Sequence, residues 1–168
     1  MRKYTKQHRT ALLSMLLALA LICSYVESLI PFYFGVPGVK LGLTNIVVLF
    51  ALYLLGGKEA FAISIMRILL TAFLFGNLFS MAYSLAGGIL SFIVMLLLKK
   101  YVKLNLLSVS VAGGISHNLG QLIIAAILVE NYHVFYYMAV LFVSGAVTGF
   151  LIGIICREVL IHLNGMFE

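Results

Sequence analysis

Four polar residues stand inside long apolar runs: Arg67, His117, Asn118 and Gln121. His117 and Gln121 are four residues apart and share one helical face, while Asn118 lies about 100° round and three residues before Gln121. Together they offer donors and acceptors suited to holding a polar ligand group, with Arg67 supplying a charge for a carboxylate or a phosphate. A guanidinium at the centre of a bilayer costs about 2.5 to 3.5 kcal/mol on insertion scales, so Arg67 must face a polar interior or pair with a partner. The competing reading is an interhelical hydrogen-bond network that only fixes the bundle. Nucleophilic and metal chemistry are not supported. No acid accompanies His117 in its own helix, and no second histidine or carboxylate follows at ligand spacing, although Glu27 could approach from another helix.

A second stretch that could contribute is Val36 to Asn45, VPGVKLGLTN. Pro37 fixes its own φ and pushes Val36 toward extended geometry, and Gly35, Gly38 and Gly42 permit conformations closed to other residues. Non-helical backbone at membrane depth is tolerated only where protein or a water-filled cavity covers it. The stretch therefore reads as an irregular lid over a cavity, with Lys40 and Asn45 pointing inward. The alternative is a plain outer turn with Lys40 at the headgroups. Tyr25, Phe32, Tyr33 and Phe34 suit either an interfacial belt or a stacking wall for a flat ligand.

The elements that must position these groups are set by composition. With 64% hydrophobic and 10% charged residues and a mean hydropathy of +1.17, the chain is an all-α integral membrane protein. A span takes roughly 20 residues, so about six spans use the whole of residues 1–168 as a single membrane domain. Their expected limits are Thr10 to Leu29, Leu43 to Leu55, Ala60 to Phe75, Phe79 to Leu98, Leu107 to Val129 and Phe135 to Ile155. The second, at about 20 Å of helix, is short for the hydrocarbon core. Arg67 falls roughly 12 Å into the third span and His117 roughly 15 Å into the fifth, both near the midplane.

The net charge of +6 does not imply a nucleic acid. Arg2, Lys3, Lys6 and Arg9, then Lys58, then Lys99, Lys100 and Lys103, then Arg157 lie at alternate ends of the apolar runs, the positive-inside pattern. Both termini are then cytoplasmic, Glu27 and the Pro31 to Gly42 loop lie outside, and the basic balance reports contact with anionic lipid. The basic start followed by an apolar run also describes a signal peptide, but no small-x-small cleavage site closes it, so an uncleaved first span is expected. Cys23 and Cys156 fall near opposite ends of this topology, too far apart for a disulfide, and read as small core residues.

Helix association in lipid depends on small residues that let backbones approach. Gly145, Gly149 and Gly153 share one face of the last span, and Ser84, Gly88 and Ser91 mark the fourth; both read as packing within the bundle. Ser14 and Ala18, flanked by Ala11, give the first span a similar face. There, docking of a partner helix competes with internal packing.

At PGVKLGLTN, Arg67, YSLAGG in the fourth span and HNLGQ in the fifth, the sequence resembles the family described as heptaprenyl diphosphate synthase component I, also called the Gx transporter family. That family in turn looks like the substrate-binding S components of energy-coupling factor (ECF) transporters. The resemblance implies a six-transmembrane-helix bundle in a prokaryotic cell membrane, with Val36 to Asn45 as lid and Ser14 and Ala18 meeting a coupling subunit. It implies import of a small vitamin or cofactor precursor, powered by partner ATPase subunits, with Lys40, Asn45, Arg67, His117, Asn118 and Gln121 contacting the ligand. No cofactor is called for. A synthase of the soluble type uses aspartate-rich magnesium sites, and this chain has no Asp and only five Glu, so an enzyme is not expected. A Walker A loop is also missing, so energy must come from partners. The alternative is a membrane subunit of isoprenoid or quinone metabolism, or of flavin-linked extracellular electron transfer.

Overall fold

The structure is a computed structural model that describes residues 6–29, 42–130 and 132–165. The described chain is helical, with no strand: α1 Lys6–Leu29, α2 Asn45–Leu54, α3 Gly57–Phe75, α4 Leu78–Leu97, α5 Leu106–Val129 and α6 Met138–Gly165. A π-helical turn, Leu98–Val102, prolongs α4, and a 3₁₀ segment, Tyr132–Tyr137, leads into α6. Two of the starts share a local signal. In NLFS and NLLS, Asn77 accepts from the Ser80 amide at 2.7 Å and Asn105 from the Ser108 amide at 2.8 Å, satisfying donors that a first helical turn leaves open.

α1, α4, α5 and α6, with their flanking turns, give four segments long and apolar enough to cross a membrane. α3 carries Lys58, Glu59 and Arg67, and α2 has only ten residues, about 15 Å of helix. The short second segment is therefore real. It is tolerated because α2 is surrounded by protein: Val47, Val48, Leu49, Ala51 and Leu52 are all buried in one core cluster with residues of α1, α3, α4, α5 and α6.

Three limits differ from expectation. α6 continues to Gly165, so Arg157 and Glu158 lie on the helix rather than in a tail. The turn after α2 shrinks to Leu55 and Gly56, because α3 begins at Gly57. The basic Lys99 to Lys103 loop is mostly the π-helical turn.

Ion pairs and close backbones order the helices. Arg9 pairs with Glu59, bringing the beginnings of α1 and α3 together. Lys99 donates to the Leu52 carbonyl and lies 4.3 Å from the Tyr53 ring, bringing the ends of α4 and α2 to the same side. Tyr25 and Phe75 meet edge to face at 5.4 Å at the opposite end. The small residues of α6 pack within the bundle, as expected. A Cβ at Gly145 would sit 2.7 Å from the Gly114 carbonyl oxygen, one at Gly149 would sit 2.7 Å from that of Ser110, and Ser110 Oγ donates to the Gly149 carbonyl at 2.6 Å. On α4, Ser91 Oγ donates to the Gly113 carbonyl at 2.8 Å, and Gly88 faces α3. Both cysteines are free, with Cys156 in the core and Cys23 packed at its edge.

Candidate functional site

The polar interior is built from the N-terminal turn of α2 outward. Gly42, at φ +80°, has the left-handed backbone that glycine adopts without strain. Its place permits no side chain, since a Cβ there would lie 2.9 Å from His117 Cδ2 and 3.1 Å from Asn45 Nδ2. The chain thus arrives at α2 pressed against the imidazole.

Glu27 holds it there. Its carboxylate accepts from the amides of Gly42 and Leu43 and from the Thr44 hydroxyl, which also lies 3.0 Å from Ser24 Oγ. Sequence reasoning set Glu27 near the outer end of the first span and gave it no part among the ligand contacts; the structure shows its side chain buried. Glu27 is on α1, only 6% exposed, and does for α2 from a distance what Asn77 and Asn105 do locally for α4 and α5. Thr44, the residue preceding α2, makes no side-chain cap of its own. Removing the carboxylate strands the buried Gly42 amide and the part-buried Leu43 amide, so Glu27→Ala is expected to lower stability by about 2 to 4 kcal/mol. Hydrogen exchange provides the check. The Gly42 and Leu43 amides should exchange faster in the variant, and unchanged protection would mean that Glu27 does not anchor them.

On α5, His117, Asn118 and Gln121 are all buried, in the most enclosed of the long helices. Gln121 Nε2 lies 3.0 Å from His117 Nε2, so an amide N–H donates to the ring nitrogen. Gly87 of α4 closes this pair from the other side: a Cβ there would lie 3.0 Å from His117 Cε1 and 2.9 Å from Gln121 Cγ. Asn118 turns away. Its amide nitrogen donates to the Leu141 carbonyl at 2.8 Å and to Ser144 Oγ at 3.2 Å, so it ties α5 to α6.

Arg67 stands on the buried face of α3 with Ser64 and Thr71, one turn before and one turn after it. It is 4% exposed, and among the described residues neither Nε nor Nη2 has a hydrogen-bond partner. Thr71 Oγ1 is likewise buried and unpartnered. The Glu27 carboxylate interacts electrostatically with the guanidinium without salt-bridge contact. Gly88 lies alongside, where a Cβ would be 3.8 Å from Arg67 Nη2.

The structure therefore brings Asn45 and His117 together at Gly42, with Gln121 bonded to His117, while Glu27 interacts electrostatically with Arg67. It sends Asn118 elsewhere. Lys40, with residues 36–41 of the expected lid and Phe32, Tyr33 and Phe34, lies outside the described residues. Glu27, Thr44 and Thr71 were missed as site residues. Thr71 had a legible signal, being four residues after Arg67 on the same face; Glu27 had none in its own helix. Beside Gly42 and Asn45 the described residues enclose a cavity of only ≈10 Å³, about one water's worth.

The arrangement presents charge and hydrogen-bonding groups within an apolar bundle, which is chemistry suited to holding a polar group. Ser14 and Ala18 stand apart from it on the outer face of α1, both exposed. No curated protein and no solved structure matches the chain. With buried polar groups at Thr44, Asn45 and HNLGQ in an apolar helical chain, the sequence over residues 16–159 matches the family model for heptaprenyl diphosphate synthase component I, the family to which the chain belongs.

Proposed function

We propose that this chain is the substrate-binding subunit of an ECF-type importer, taking a small vitamin or cofactor precursor across a prokaryotic cell membrane with coupling and ATPase partners. In this reading all six helices lie in the membrane, both termini are cytoplasmic, and residues 36–45 form the lid. No covalent chemistry is part of it. The observation that carries the proposal is the gathering of buried polar groups from α1, α2 and α5 at Gly42, with the buried Arg67 of α3 interacting electrostatically with Glu27 of that group. Isolated buried polar groups cost stability, so a cluster holding an unpartnered guanidinium is better explained by binding than by packing.

The α1 face supports the partner claim. Ser14 and Ala18 are exposed beside Met15 and Leu19, and Met15 at 59% and Leu19 at 47% exposure make a surface that small residues allow another helix to approach. Replacing both Ser14 and Ala18 with leucine is expected to cut co-purification of a coupling subunit by at least about tenfold, since overpacking a close helix contact costs ~1–3 kcal/mol. Thermal unfolding of the isolated subunit should be unchanged. A mild-detergent pull-down, with all coupling subunits expressed, decides the matter, and recovery of none by the wild-type chain would sink the importer reading.

A second reading is a membrane subunit serving isoprenoid or quinone metabolism. An apolar groove of ≈290 Å³ between α1, α2 and α6, lined by Leu19, Phe50 and Val159 among others, favours it, as does the name of the family. It predicts that a polyprenyl or quinone species co-purifies, which lipid extraction and mass spectrometry would detect.

A further inference from the structure

The unmet hydrogen-bonding capacity of Arg67 has a particular shape. Nε and Nη2 lie on the same edge of the guanidinium, and two parallel N–H groups on one edge match the two oxygens of a carboxylate. Among the described residues no carboxylate fills that edge. Of the chain's five Glu residues, Glu27 is engaged by Gly42, Leu43 and Thr44, and Glu59 by Arg9. Glu130 follows the end of α5, Glu158 is exposed on α6, and Glu168 lies outside the described residues. Asp is absent, and residues 30–41 contain no acid. Thr71 adds a third open polar atom, the hydroxyl one turn beyond Arg67 on the same buried face.

We propose that the ligand is a monocarboxylate, received side-on by Nε and Nη2 of Arg67 with the Thr71 hydroxyl as a further donor. This deepens the binding reading above and rests on it. Shape and charge both select the class. Glu27 interacts electrostatically with Arg67 without contact, and a ligand of a single negative charge carries less charge into the interior than a doubly charged phosphate, at a lower desolvation cost. A neutral amide supplies one acceptor where the fork offers two donors.

The test uses the full-length chain in mild detergent, freed of retained small molecules, and reads thermal stabilisation and calorimetric affinity. The probes are a series of aliphatic and aromatic monocarboxylates from acetate to indole-3-acetate, each paired with its amide, together with inorganic phosphate. The best acid should bind at least about tenfold tighter than its amide and than phosphate. Arg67→Lys keeps the charge but loses the fork and should weaken that acid at least about tenfold. Thr71→Val, which keeps the shape and removes the hydroxyl, should weaken it by a factor of about two to five. Equal binding of acid and amide, tighter binding of phosphate, or wild-type affinity for the acid in Arg67→Lys would overturn the carboxylate assignment and leave the binding reading in place. If neither acids, amides nor phosphate bind the wild-type chain, the binding reading falls with it. The acid–amide comparison is made on wild-type protein, so it decides the question even if a variant fails to fold.

Discussion

Arg67→Met is expected to weaken ligand binding by about a hundredfold while leaving the empty bundle at least as stable as the wild type. The first part follows from the loss of two charge-assisted hydrogen bonds, together about 3 kcal/mol, with each 1.4 kcal/mol worth a factor of ten in affinity. The second follows from what the residue lacks. A buried charge with open nitrogens is a cost carried by the fold, and replacing such a group with an apolar side chain of similar volume is commonly neutral or stabilising. Glu27 is not abandoned by the change, because Gly42, Leu43 and Thr44 still donate to it. Thermal unfolding without ligand and native mass spectrometry for retained ligand measure the two halves separately. A variant destabilised by about 3 kcal/mol or more, with retention unaffected, would make Arg67 a structural residue after all.

Gly114→Val should prevent α5 and α6 from closing and leave little monodisperse protein. The expected loss exceeds ~3 kcal/mol, the upper part of the usual range for overpacking, because nothing near the new side chain can yield. A Cβ at Gly114 would lie 2.2 Å from the Gly145 carbonyl oxygen and 3.1 Å from Gly149 Cα, so the obstacle is backbone on both counts. Separating the helices also strains the 2.6 Å bond from Ser110 Oγ to the Gly149 carbonyl. Gly153→Ala is the internal control. Its Cβ would meet Leu107 Cδ2 and Ser110 Cβ at 3.1 Å and Leu107 Cα at 3.3 Å, contacts that a shift of a few tenths of an ångström relieves, unlike the 2.2 Å approach at Gly114. Size-exclusion profiles and unfolding temperatures should rank Gly114→Val far below Gly153→Ala. Equal behaviour of the two would show that the α5–α6 contact is not tight.

Arg67 sits at the meeting point of both kinds of reasoning. That it had to face inward was evident from its type and its depth in an apolar run, and so was the shared face of His117 and Gln121, since four residues of helix bring any two side chains to one side. The three glycines of α6 could be read in the same way, because a four-residue spacing of the smallest side chain has one strong physical use in lipid. Class, helical content and the brevity of α2 followed from hydropathy and length.

Which neighbour each face meets could not be read from the chain. Lipid and protein interior are both apolar, so hydropathy does not mark the side of a helix that touches another helix. Asn118 illustrates this: helical geometry put it about 100° from His117, but only the position of α6 decided that its amide ends at Leu141 and Ser144 rather than in the site. Glu27 illustrates it more sharply. Near the end of the first span, its sequence neighbourhood reads as the start of an outer loop, and its partners lie 15 to 17 residues away. The sequence by itself determined that this is a helical membrane chain with a guanidinium, an imidazole and amides at depth. Only the tertiary structure decided that Glu27 is buried among them, that Asn118 is not, and that Arg67 keeps one edge open, because those outcomes depend on distances between helices that no local pattern encodes.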